Sequence, residues 1–150
     1  MAIIILIGLT NSVYTDELTP KDNHQFSFFS GIFDFSDKGK NFYLINIWSS
    51  WCEPCKDESD KLLELKNDTS IMMIGINYKD KKKNALNFLK LYGDPFDLIF
   101  VDKQGTISIN FGAYGVPETF LINEENKVLK KYIGPLNDED VYEIKNITNN

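Results

Sequence analysis

Apolar residues gather along this chain in runs whose spacing switches between that of buried strands and that of helices. Residues 41–50, NFYLINIWSS, form a continuous apolar run with β-branched and aromatic members, the pattern of a strand covered on both faces. SIMMIGIN (70–77) is a second such run, and FDLIFVD (96–102) a shorter one. Between the first two, CKDESDKLLELK sets Leu62, Leu63 and Leu65 among charged neighbours, and Pro54 just ahead suits the first turn of a helix. Beyond the second, Ala85, Phe88, Leu89 and Tyr92 recur at helical spacing, with Asp80 as the predicted cap and Gly93 and Pro95 as the stop. A short helix over 105–111, two strands over 119–134 turning at 124–126, and a closing helix over 138–147 complete the pattern. Strand and helix alternate and a hairpin and helix follow, so the predicted class is α/β.

The N-terminal stretch is less regular. AIIILIGL, residues 2–9, is too short to span a bilayer, which takes about 20 apolar residues. It is read as the stump of a signal or membrane anchor, with a first strand or a chance apolar start as the alternatives. Residues 11–23 are polar without a sustained period and predict a linker, which places residues 1–23 ahead of a domain over 24–150. QFSFFSGIFDFS (25–36) alternates aromatic and small residues around Gly31 and predicts a hairpin or two irregular strands.

Length and charge narrow the classes. A chain of 150 residues, 43% of them hydrophobic, suits one core. Sixteen basic residues against 22 acidic ones give a net charge of −6, and every basic residue is lysine. Without a guanidinium fork to read phosphates or base edges, nucleic acid is set aside as a partner. The lysine-rich stretch from Lys79 to Lys83 is read as a solvated helix start whose positive charge opposes the helix dipole, with docking as the alternative.

Both cysteines stand in WCEPC, residues 51–55. Cys52 falls where a buried strand ends and a helix begins. Free N–H groups and the positive end of the helix dipole favour its thiolate over that of an ordinary cysteine, whose pKa is about 8.5. Cys55 lies one turn on and is expected to be the more buried of the two. Attack by Cys52 on a disulfide gives a mixed disulfide that Cys55 can resolve, so the pair can carry two electrons. Three readings compete. Structural zinc takes four ligands, against two cysteines and a lone His24 here; a bridge closing so small a ring constrains little unfolded-state entropy; inert buried thiols have no need of a helix start.

WCEPCK resembles the active site of the thioredoxin superfamily. With GINYKD (75–80) and YGVPETFLI (114–122), the chain resembles the thiol-disulfide reductases of cytochrome c maturation, the DsbE/CcmG type among TlpA-like proteins, over residues 26–136. The resemblance implies a thioredoxin-like fold: a central mixed sheet flanked by helices, with a βα insertion before the proline loop. It implies catalysis by Cys52 and Cys55, a cis bond at Val116–Pro117, and an acidic residue near the sulfurs at Glu118. Glu58 matches a second acidic position, and either carboxylate is a candidate acceptor for the Cys55 proton. Trp51, Glu53, Pro54, Val116 and Pro117 would contact substrate, Trp51 by covering the sulfurs. Asn46 departs from ordinary thioredoxins, which have a buried acid there.

In role, the resemblance implies an extracytoplasmic (periplasmic) reductant, with an N-terminal segment as an inner-membrane anchor. Its substrate would be apocytochrome c or a maturation partner, its electron donor a membrane thiol reductase, and its state monomeric; no cofactor or metal is implied. A general extracytoplasmic reductase and a peptide-binding module with incidental exchange are the alternatives.

Overall fold

The computed structural model describes residues 39–150 together with the backbone of Ile4–Leu6 and Val13–Thr15. The predicted hairpin at 25–36 and His24 lie outside the described residues. Among the described residues, seven strands form one mixed sheet in the order β1-β2-β5-β4-β3-β6-β7. They are β1 Ile4–Leu6, β2 Val13–Thr15, β3 Phe42–Trp48, β4 Ile71–Tyr78, β5 Leu98–Asp102, β6 Glu118–Asn123 and β7 Val128–Ile133. The helices are α1 Glu53–Asp57, α2 Ser59–Lys66, α3 Lys82–Tyr92, α4 Thr106–Asn110 and α5 Asp138–Thr148. Part of the predicted linker is thus strand, since β2 runs parallel to β5 and pairs antiparallel with β1.

β3 is central because both its faces are apolar. Leu44 and Trp48 point into a core with Leu62 and Leu65 of α2, Phe88 and Leu89 of α3, and Val141 and Ile144 of α5. Tyr43, Ile45 and Ile47 point the other way, against Ile107 and Phe111 at α4. A strand whose successive side chains serve opposite cores reads as one unbroken apolar run. Gly75 of β4 is required by close approach: a Cβ there would stand 2.9 Å from Trp48 Nε1 and 3.0 Å from the Phe96 ring. The strand-helix unit expected before the proline loop is present as β5 and α4.

Two local expectations change. The single helix predicted after Cys52 is two, separated at Glu58. There the Ser59 hydroxyl donates to Cys55 O at 3.1 Å, a local bond that competes with the helical ladder. Asp80 accepts the Lys81 N–H at 2.8 Å, but Lys81 is the N-cap of α3 and supplies no side-chain cap. The Asp80 carboxylate is drawn to the end of β3 instead.

Candidate active site

Cys52 and Cys55 are joined as a disulfide. Cys52 is the N-cap of α1, and its sulfur accepts the Cys55 N–H at 3.3 Å. That acceptor position carries over to the thiolate after reduction, when the first-turn N–H groups and dipole stabilise the anion. Cys52 is 3% and Cys55 2% exposed, so the difference in burial expected between them is slight in the bonded state. In the bonded state Cys52 must turn its sulfur inward to reach Cys55 on the buried side of α1. Glu53 and Pro54 between them are exposed, and Glu53 pairs with Lys56 at 2.6 Å, a solvent-facing contact of small energetic weight.

The three residues ahead of Cys52 are each held by the β4–α3 turn. Ser49 donates its hydroxyl to Tyr78 O at 2.6 Å. Ser50 gives its N–H and hydroxyl to Asp80 at 2.6 and 2.7 Å, and Asn77 donates to the same carboxylate at 3.0 Å. Trp51, 58% exposed, donates its indole N–H to Lys79 O at 3.1 Å and leans toward the Tyr78 ring. Trp48 is buried between Phe88 and Phe96.

Behind Cys55 lies a buried acid. Glu58 is fully buried and one turn beyond Cys55; it accepts from Asn46 Nδ2 at 2.8 Å and from Leu136 N at 2.9 Å. Asn46 also donates to Thr119 Oγ1 at 3.0 Å. By strand alternation Asn46 and Thr119 share the sheet face of Leu44, Trp48 and Leu121, the face that carries both cysteines. Burial pushes the Glu58 carboxyl up to about 7, opposed by its two hydrogen bonds and aided by Asp140 of α5. A carboxyl in that range can exchange protons near neutral pH.

The Val116–Pro117 bond is cis. Pro117 is buried, and Val116 packs against the cluster that holds the cysteines as well as the one on the other face. Where the resemblance implied a Glu118 carboxylate near the sulfurs, the structure turns it away: Glu118 alternates with Phe120 and Ile122 onto the α4 face. Its Oε1 accepts from Tyr114 N and Gly115 N at 2.8 and 3.0 Å, and Oε2 forms an ion pair with Lys131 at 2.8 Å. Lys131 in turn donates to Gly112 O at 2.8 Å. Glu118 and Lys131 therefore clamp the proline loop from behind. Sequence reading missed Lys131, a basic residue in an exposed-looking run, and took Asp80 for a helix cap where the structure uses its carboxylate to hold Ser50.

The clamp has a measurable consequence. Glu118→Gln keeps an acceptor but removes the charge that holds Lys131, and charge-assisted bonds exceed neutral ones by about 1 kcal/mol or more. Hydrogen exchange at the Tyr114 and Gly115 N–H groups should accelerate roughly tenfold, with the circular-dichroism spectrum unchanged. Unaltered protection of those two amides would show that the loop does not depend on the carboxylate.

Comparison with known proteins points one way. The Redoxin family model matches residues 32–148. The thiol:disulfide interchange protein CycY of Rhizobium leguminosarum bv. viciae is 42% identical over 102 residues, 68% of this chain and 54% of the relative. The thiol:disulfide interchange protein DsbE of Escherichia coli K12 is 37% identical over 94 residues, 63% of this chain and 50% of the relative. The chain thus spans about half the length of these curated relatives. Among solved structures, a putative thiol:disulfide interchange protein DsbE from Chlorobium tepidum superposes with a TM-score of 0.64 at 25% identity, covering 74% of this chain and 79% of that one.

Proposed function

This chain belongs to the Redoxin family, and from that premise we propose that it is a thiol-disulfide oxidoreductase acting as a reductant outside the cytoplasm, in cytochrome c maturation. The observation that carries the reading is the Cys52–Cys55 disulfide at a helix start, with Cys52 as N-cap and a cis-proline loop packed on the same cluster. The similarity to DsbE proteins supports the cytochrome c assignment and a periplasmic location; in this reading residues 24–150 are the active domain and the chain is a monomer.

The chemistry runs in two displacements. The Cys52 thiolate attacks one sulfur of a disulfide in apocytochrome c or a maturation partner, and the other substrate sulfur leaves as a thiolate and takes a proton. Cys55, having lost its proton, then attacks Cys52 and expels the second substrate sulfur. The substrate gains two electrons and the chain ends oxidised, as in the structure. A membrane thiol reductase returns the pair to its dithiol form. Glu58, on the face of the cysteines, takes the Cys55 proton; Glu118 keeps the loop in place. Trp51, Pro54, Val116 and Pro117 border the sulfur that meets substrate, and Glu53 lies at its exposed edge.

The direction of flow is tested by the reduction potential. Equilibration with glutathione should place it near the thioredoxin value of about −270 mV, far from the oxidase DsbA at about −120 mV. A value near the oxidase would make the chain a disulfide donor.

A further inference from the structure

Lysines that the exchange chemistry leaves unused converge beside the disulfide. β4 and β5 are parallel neighbours, with Tyr78 opposite Asp102, so the turns that follow them leave the same end of the sheet. The β4–α3 turn brings Lys79 and Lys81, the first turn of α3 brings Lys83, and the β5–α4 turn brings Lys103, all exposed. The two turns are fastened together. Lys79 N donates to Asp102 O at 2.8 Å, and Gly105, at φ +80°, approaches so closely that a Cβ there would stand 2.6 Å from the Tyr78 ring and 2.8 Å from the Lys79 side chain. The acids of the same turns face inward: Asp80 holds Ser50 and Asn77, and the buried Asp102 holds the N–H groups of Ile107 and Ser108.

The rim is basic on a chain whose net charge is −6. α3 contains no acid, and residues 103–117 contain none. Lysines at the start of α3 work against its dipole and lower its stability, so folding does not account for them. The rim adjoins the reacting sulfur, because Lys79 O holds the indole of Trp51, the residue before Cys52. On α1, Glu53 is paired with Lys56, so the charge beside the disulfide that is not matched by a neighbouring acid lies on the lysine rim.

We propose that the Lys79, Lys81, Lys83 and Lys103 rim is a docking surface for an acidic segment of the protein whose disulfide Cys52 attacks. This deepens the reductase reading and rests on it. An acidic segment on one side of a substrate disulfide is drawn to the lysines, which sets the direction in which the substrate chain crosses the site. Charge arranged in this way raises the encounter rate and is screened by salt.

The test uses two disulfide-bonded peptides of equal length, one flanked by Asp and Glu on one side and the other by Asn and Gln. At about 20 mM salt the acidic peptide should be reduced with a kcat/KM roughly fivefold or more above the neutral one, and the advantage should vanish near 0.5 M. The variant K81Q/K83Q/K103Q should lose that advantage while reducing the neutral peptide at the wild-type rate. Tryptophan fluorescence titration with the alkylated peptides reads the rim without any redox step. If neither peptide is reduced, the reductase reading fails while the titration still tests the rim. Equal rates and equal binding for both peptides, or a preference that survives in the variant, would overturn the proposal. So would binding of the rim to anionic vesicles without any preference between the peptides, which would assign it to a membrane surface.

Discussion

Cys55→Ser should accumulate a covalent complex with its substrate through Cys52, while Cys52→Ser should form none and exchange no faster than uncatalysed solution. The asymmetry follows from the helix start. Only Cys52 is an N-cap, with its sulfur receiving an N–H bond and facing the positive end of α1; Cys55 sits inside the helix, against the core. With the cap retained on reduction, Cys52 is the thiolate that the helix start stabilises and hence the nucleophile. Removing Cys55 leaves attack intact and abolishes resolution, so the mixed disulfide persists. Non-reducing electrophoresis and mass spectrometry of the reduced variants, incubated with a disulfide substrate, read the outcome directly. Adduct formation by Cys52→Ser would exchange the two roles. Limiting alkylation of the reduced wild type should label Cys52 first for the same reason.

The oxidised protein should lose stability as pH rises from 4.5 to about 7, and Glu58→Gln should abolish that slope. The Glu58 carboxyl is raised from 4.5 to about 7, chiefly by burial. Between those values the folded chain keeps the proton that the unfolded chain has released, so the stability associated with this group is complete below 4.5 and is lost as pH climbs through about 7. A shift of this size corresponds to about 3 kcal/mol, or roughly 6–12 °C of Tm for a chain of this length. Gln cannot ionise. It pairs less well with Asn46 and Leu136 than the carboxylate does, so its absolute stability is set partly by that loss; the slope is the diagnostic quantity. If Glu58 takes the Cys55 proton, resolution of the mixed disulfide in Glu58→Gln should also lose its dependence on a group titrating near 7. Thermal unfolding from pH 4.5 to 8.5 and stopped-flow exchange across the same range provide the two readings. A variant with the wild-type slope would place the titration elsewhere.

The strands and the redox pair were legible because their signals are local. β3 and β4 are covered on both faces, so they read as apolar runs, and a cysteine pair three residues apart needs no distant partner to come together. Pro54 marked the start of α1 because a missing N–H costs nothing in a first turn. The break at Glu58 was not legible. Apolar positions continue at helical spacing across it, while the Ser59 hydroxyl bonds Cys55 O and the Glu58 carboxylate is held by Leu136, 78 residues away, a partner that no local pattern names.

By itself, then, the sequence determined the α/β alternation, the central strands, the sulfur chemistry at Cys52 and Cys55, and the acids available to serve it. Tertiary structure decided which acid lies on the sheet face of the cysteine cluster. Side-chain direction in a strand has period two, so the register of β6 against β3 turns Thr119 toward Asn46 and the cysteines and Glu118 toward the proline loop. Register is fixed by pairing between segments 73 residues apart, and no local pattern encodes it. The same holds for Lys131 at the back of the loop and for Lys79 and Lys103 following strands that end side by side: each lysine is ordinary in its own stretch, and only the parallel pairing of β4 with β5 and the hairpin of β6 with β7 bring them to their places.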